Sequence, residues 1–356
     1  MSTWPDSRIL DLLGIRLPIL QAPMAGPGLH PMAIAVGRAG GLAALPCAML
    51  SADQVRAEVA LIRAHSDAPL NLNFFCHQTP APDPARESAW RERLRPYFLE
   101  HGLEPDMPLP VSSRNPFDSD SCALVEALRP AVVSFHFGLP APELLARVKA
   151  TGAQVLSSAT TVAEARWLDA RGVDAIIAQG AEAGGHRGVF LQDEVYSQPG
   201  TLALVPQVVD AVGVPVIAAG GIMDARGIAA AFMLGASAVQ LGTAYLFTPE
   251  AKLAPAHHAA LRSAAAETTA LTNLFTGRPA RGIVNRLMRE AGPLSALAPA
   301  FPLAGGALTP LRAAAEAQGS GDFMPLWAGQ GAALGRERGA GELTQELAAQ
   351  ALALLA

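Results

Sequence analysis

Short apolar runs rich in Val, Ile and Leu, bounded by Gly, Pro or Asn, recur along the chain at 17–25, 41–46, 70–75, 131–137, 154–159, 175–179, 215–220 and 238–246. Brief runs with little polar alternation are the pattern of parallel strands covered on both faces. Between most of them the apolar spacing becomes that of amphipathic helices. One helix is predicted at 52–64 after Ser51, a natural N-cap; those at 161–171 and 224–234 are followed by Gly172 and Gly235, residues suited to the left-handed position past a helix end. Eight such alternations predict an α/β fold, a (β/α)8 barrel. An open doubly wound sheet is the competing arrangement, but the GxGxxG turn it wants after its first strand is missing.

Two segments interrupt the alternation. Residues 77–128 are rich in proline and charge, with a helix around 86–99; residues 251–310 are Ala-rich, read as helical, and end in the Pro/Gly-rich stretch 298–306. Excursions that follow barrel strands sit on the active-site face and commonly cover it. The predicted organisation is a barrel from 1–250 plus 311–356, with 251–310 as a smaller, mostly helical substrate-side domain and 342–356 as a closing helix.

Composition narrows the partners. Of 356 residues, 51% are hydrophobic and 16% charged, enough for a large core and low enough in charge to suggest a covered apolar surface. The net charge of −5 has no basic cluster, which argues against nucleic acid and anionic membrane as partners. Cys47, Cys76 and Cys122 show neither a CxxC nor a metal spacing, so a disulfide framework and a zinc site are not expected, and no metal is assigned. The N-terminus lacks a basic region followed by an apolar stretch, and no run is long enough to cross a bilayer; a cytoplasmic protein is expected, as monomer or homodimer.

In such a barrel the chemistry lies at the C-terminal ends of the strands. The sixth strand runs into Gln179-Gly180-Ala181-Glu182-Ala183-Gly184-Gly185-His186-Arg187-Gly188, a glycine-rich loop with one histidine. Glycine lets backbone approach a flat ligand, and histidine is the side chain that changes charge near neutrality. His136, inside the fourth strand, is expected at the mouth facing the same cavity. After the seventh and eighth strands come Gly220-Gly221 and Gln240-Leu241-Gly242-Thr243; bare backbone there, with the Thr243 hydroxyl, suits a phosphate. A phosphate site with no lysine placed for a Schiff base and no metal cluster points to FMN. Gln179 and Asn73 would then meet the polar edges of its ring, and Met24 its face or edge, with Asn71 on the same strand face as an alternative to Asn73. Ser157 and Ser158 read equally well as small residues filling the barrel. His65, His101, His257 and His258 read as surface or helix residues, while His30 and His77 lie on loops near the mouth without a role.

Gln21-Ala22-Pro23-Met24-Ala25-Gly26, Asn71-Leu72-Asn73-Phe74-Phe75, Val133-Ser134-Phe135-His136-Phe137-Gly138, the 182–188 loop, Ala219-Gly220-Gly221-Ile222 and Gln240-Leu241-Gly242-Thr243 occur in this order, followed by Gly277-Arg278-Pro279-Ala280-Arg281-Gly282 and Trp327-Ala328-Gly329-Gln330. Over nearly its whole length the chain resembles the nitronate monooxygenases, and the Ser-Phe-His-Phe-Gly and Trp-Ala-Gly-Gln segments resemble the class I branch. The resemblance implies a TIM barrel with a smaller substrate-side domain and non-covalent FMN as sole cofactor. It implies oxidation of nitronates, propionate 3-nitronate above all, by O2 via a flavin semiquinone, with release of nitrite or nitrate and a carbonyl product. It places FMN contacts at Met24, Asn73, Gln179, Gly184, Gly221, Gln240, Leu241, Gly242 and Thr243, a base or hydrogen-bond partner at His186, and His136 beside the substrate. Some members carry tyrosines in the region matching 108–118 and near His257; this chain has none there.

The enzymatic alternative is an FMN- and NAD(P)H-dependent enoyl-acyl-carrier-protein reductase, whose family shares the Glu-Ala-Gly-Gly-His loop, or a quinone reductase on the same scaffold. Outside catalysis, the alternative is a flavin- or phosphate-binding barrel that has lost activity.

Overall fold

The computed structural model describes residues 3–110, 114–192 and 194–356; of the segments discussed above, 111–113 of the first excursion lies outside the described residues. The strands are β1 (Ile19–Gln21), β2 (Ala43–Pro46), β3 (Leu70–Phe75), β4 (Val132–His136), β5 (Gln154–Ala159), β6 (Ala175–Gln179), β7 (Gly185–His186), β8 (Val216–Ala219), β9 (Ala238–Leu241), β10 (Thr269–Thr272) and β11 (Ala280–Ile283). Eight of them form one parallel sheet in the order β1-β9-β8-β6-β5-β4-β3-β2. The ends meet through a parallel bridge between Leu20 and Leu42, where the Leu42 N–H donates to the Ile19 carbonyl (3.0 Å) and the Gln21 N–H to the Leu42 carbonyl (3.0 Å). Beyond that bridge the Gln21 side chain continues the ladder: its Nε2 donates to the Ala44 carbonyl (3.1 Å) and its Oε1 accepts from the Ala44 N–H (3.2 Å). A primary amide thus acts as one more peptide unit and satisfies two buried backbone groups. The fold is a (β/α)8 barrel.

Alternate residues of each strand point into and out of a barrel. Leu72, Val133, Val155, Ile176 and Val239 pack outward against the helices. Leu20, Val132, Leu156, Ile177 and Ile217 fill the lower interior together with Ile9 and Leu13 of the helix Arg8–Leu13, which plugs the N-terminal end. Toward the other end the inward series becomes polar: Asn71 and Asn73 on β3, Ser134 and His136 on β4, Ser158 on β5, Gln179 on β6, Gln240 on β9. This inward polar series explains the polar residues interrupting the apolar runs.

Three expected strands, at 70–75, 154–159 and 175–179, coincide with β3, β5 and β6; others are shorter than the apolar run. The largest difference is at 238–246, where the strand stops at Leu241 and Thr243–Phe247 is a 3-10 helix burying Tyr245, Leu246 and Phe247. An apolar run does not by itself distinguish a strand from a buried turn. Ser51 caps its helix with a capping box completed by Gln54. Thr161 and Asp224 cap theirs by accepting from Glu164 N–H and from Arg226 and Gly227 N–H.

The segment 251–310 contains helices Pro255–Leu261 and Arg286–Ala291, and the helix Gly305–Ala317 runs past its end. It also contributes β10 and β11 to a small antiparallel sheet with β7. Its apolar residues Leu274, Phe275, Leu287 and Leu308 form a second core with Trp90, Leu94 and Phe98 of the helix Pro84–Glu100. The Trp90 indole donates to the Ala304 carbonyl (3.3 Å). The two excursions, separate in sequence, therefore share one core.

Candidate active site

At the end of β6 the chain turns around Arg187. Its guanidinium is fully buried and donates to the carbonyls of Gly180 (3.0 Å), Gly185 (3.0 Å) and Ala183. The loop is folded around this cation, whose pKa is pushed down to about 9 by burial and by Arg281, with Glu182 acting in the opposite sense. Glu182 turns the other way and caps the helix Thr201–Val209, accepting from the Thr201 N–H (2.8 Å) and hydroxyl (2.8 Å). Gly184 owes its identity to packing: a Cβ there would stand 2.6 Å from the Gly329 nitrogen and 2.7 Å from the Ala328 carbonyl carbon. The Trp327–Gln330 segment is thereby laid on the loop, with Gln330 N–H donating to the Glu182 carbonyl (2.9 Å) and Gly329 N–H to Thr243 Oγ1 (2.9 Å).

These contacts deliver His186 to β7, where it pairs with Ala280. Its carbonyl accepts from Gln179 Nε2 (2.9 Å) and from His136 Nε2 (3.3 Å), and Gln179 Oε1 accepts from the Gly188 N–H (2.7 Å). His136 Nδ1 meets Ser158 Oγ at 3.0 Å. A carbonyl can only accept, so His136 carries its proton on Nε2 and takes the Ser158 hydroxyl proton at Nδ1. The His186 ring meets Thr276 Oγ1 at 3.0 Å through Nε2 and stands 5.3 to 6.1 Å, centroid to centroid, from Phe301, Trp327, Phe137 and Phe75. Phe137, at φ 71°, and Gly138, at φ 89°, form a turn that Ser157 holds by donating to the Gly138 carbonyl (2.9 Å). A bulky residue at positive φ is strained, and such strain clusters at functional sites.

Burial and neighbouring cations keep both rings neutral. The His186 pKa lies well below the usual range, first through desolvation and then through the charge of Arg114, with His136, Arg278 and Arg187 adding to it. His136 is pushed down to about 3 by burial, then by Arg278. His77, unassigned from sequence, lies buried with its ring 4.8 Å from that of Phe301, and its pKa is pushed down to about 4. His257, read as a surface or helix residue, lies on the helix Pro255–Leu261 and is buried: its Nε2 donates to the Trp327 carbonyl (3.1 Å), and its pKa falls to about 4. It packs there because its helix lies on the main core through Leu261, Ala254, Ala256 and Ala260, which periodicity within one helix does not reveal.

The remaining expected residues gather around the same mouth. Asn73 Nδ2 donates to Ser134 Oγ (2.9 Å). The side-chain oxygens of Asn71 and Gln240 are buried without a protein partner. Gly242 meets the end of the first strand: a Cβ on it would lie 3.4 Å from Ala22 Cβ and 3.8 Å from Met24 Sδ. Gly220 and Gly221 take φ values of 120° and 72°, which L side chains rarely adopt. Leu241 points its side chain outward into the helix layer, so only its backbone faces a ligand. Thr276 and Glu182 were not singled out by sequence reasoning; a lone threonine in a turn carries no pattern to mark it.

A (β/α)8 barrel with a buried neutral histidine, cations and aromatic rings at its C-terminal mouth has the architecture of a small-molecule enzyme. The chain belongs to the nitronate monooxygenase family, whose profile matches residues 6–350. The nitronate monooxygenase of Pseudomonas aeruginosa is 46% identical over 346 residues, covering 96% of this chain and 97% of that protein. Among solved structures, nitroalkane oxidase from Streptomyces ansochromogenes superposes with a TM-score of 0.87 at 40% identity, over 96% of this chain and 97% of that one. FabK from Thermotoga maritima superposes with 0.71 at 25% identity, over 98% and 97%. The protein is an oxidoreductase of the flavoenzyme type. Among the described residues no helix is long and apolar enough to cross a membrane.

Proposed function

We propose that the protein oxidises nitronates, propionate 3-nitronate and alkyl nitronates among them, with O2 as oxidant and non-covalent FMN as cofactor, yielding nitrite or nitrate and a carbonyl compound. The observation that carries this reading is the neutral His186 ring set among the charges of Arg114, Arg278 and Arg187 and walled by Phe75, Phe137, Phe301 and Trp327. Such a mouth attracts a small anion, and a nitronate is one that needs no proton removed before it is oxidised. The aromatic walls exclude water, which strengthens the pull of the cations.

The residues present fit a flavin. The buried, unpartnered oxygens of Gln240 and Asn71 call for a donor from outside the protein, as the ring N–H of a flavin would supply. Met24 would lie against the ring, with Asn73 and Gln179 beside it, although both Gln179 amide atoms already clamp the His186 loop. Backbone at Gly184, Gly220, Gly221, Leu241, Gly242 and Thr243 would hold the cofactor, its phosphate at the two glycine turns. When bound, FMN supplies the electron-accepting ring, and the protein orients the substrate. The charges of Arg114, Arg278 and Arg187 draw the nitro group into the mouth, the neutral His186 ring lies beside the substrate carbon, and the second core closes the substrate side.

Oxygen uptake by the purified yellow protein tests the reading. Rapid uptake with propionate 3-nitronate, and none with NADH or NADPH alone, is expected. Flavin reduction by a nucleotide with no response to nitronate would transfer the chain to the reductase reading, which the fold likeness to FabK keeps in view.

A further inference from the structure

Thr276 sits in the turn between β10 and β11, 2% exposed, with its hydroxyl against the His186 ring. The turn is fixed: the Gly277 N–H donates to the Asn273 carbonyl (2.7 Å), and Asn273 Nδ2 donates to the Ser295 carbonyl (2.9 Å). Thr276 Oγ1 has two further neighbours, the Arg278 carbonyl at 3.3 Å and the Arg278 N–H at 3.5 Å. A hydroxyl has one proton to give, and the carbonyl can only accept. Giving the Thr276 proton to the Arg278 carbonyl, with its oxygen accepting from His186 Nε2, makes a hydrogen bond of both contacts; the reverse arrangement, with the hydroxyl donating to Nε2, leaves the carbonyl contact unmade.

We infer that Thr276 is a positioning residue for His186, fixing the imidazole as the Nε2–H tautomer and leaving Nδ1 as its lone-pair nitrogen. Which ring nitrogen of a histidine carries the proton is decided by the hydrogen bond the other one makes or is denied. Here the carbonyl of His186 is held by Gln179 and His136 while the ring is held by Thr276, so backbone and side chain are pinned from opposite sides. The Nδ1 atom is then the one that meets a substrate proton. The inference rests on the active-site reading of His186 above, yet concerns a property the protein has with or without turnover.

The test uses the purified protein as isolated, labelled with ¹⁵N in its histidine rings, the His186 signals being assigned by their loss in His186→Asn. At pH 7.5 the expected spectrum shows one neutral tautomer with the proton on Nε2. Thr276→Val should replace that pattern by a mixture or by the Nδ1–H form, and lower kcat on a neutral nitroalkane about tenfold or more with KM little changed, as loss of a transition-state interaction does. Thr276→Ser, which keeps the hydroxyl, should restore both. A wild-type spectrum with the proton on Nδ1 overturns the inference, as does Thr276→Val with an unchanged tautomer and rate. A wild-type protein inert toward nitronates and nitroalkanes would instead refute the proposed function, and the spectrum would still decide the tautomer.

Discussion

His186 shows what a single side chain acquires from its surroundings. Free in water it would titrate near pH 6.5; buried beside Arg114, Arg278 and Arg187 it stays neutral far below that. A neutral imidazole can accept a proton from a nitroalkane carbon, whereas a nitronate arrives without that proton. His186→Asn is therefore expected to lower kcat on a neutral nitroalkane by roughly 10²–10⁴ and on the corresponding nitronate by less than about tenfold. Steady-state kinetics on the two forms of one substrate check this, and equal losses would remove the base role. The histidine was legible in sequence because glycines and a preceding strand mark its loop. The reasons for the glycines were not: Gly184 is small because Ala328 and Gly329, more than 140 residues downstream, press backbone against it. His257 and Thr276 were illegible for the same reason, since each acts on a residue remote in the chain.

At the scale of elements, apolar runs located every barrel strand, because a parallel strand buried on both faces has few ways to be polar. Their ends were less legible, as at Leu241, where the apolar run continues into a 3-10 helix. Closure of the barrel depends on a feature no periodicity shows, the Gln21 amide pairing with both backbone groups of Ala44. Gln21→Leu keeps the volume and leaves that N–H and carbonyl without partners in a buried place. A loss of about 1–3 kcal/mol for each orphaned group is expected. Urea denaturation measures it; an unchanged midpoint would show that the β1–β2 seam closes without the amide.

Across the whole molecule, four buried histidines couple stability to pH. His77, His136, His186 and His257 are neutral when folded and titrate near 6.5 when unfolded. Below that value the unfolded chain takes up protons that the folded protein does not, so stability falls as pH drops from about 6.5. The fall continues toward folded values of about 4 for His77 and His257 and about 3 for His136. Each histidine contributes up to ~1.4 kcal/mol per pH unit through that window and nothing above about pH 7.5. Thermal unfolding at pH 7.5, 6.0 and 5.0 should show a falling Tm, with a shallower fall in His257→Gln; a flat profile would contradict their burial as neutral rings. The sequence by itself determined the eight barrel strands and the loop that bears His186, because each depends on neighbours within a few positions. Tertiary structure decided the closure of the barrel, the second core that joins 84–100 to 270–323, and the groups that set the state of His186. Those depend on side chains meeting partners remote in the chain, where burial and fixed charges set protonation and local pattern has no influence.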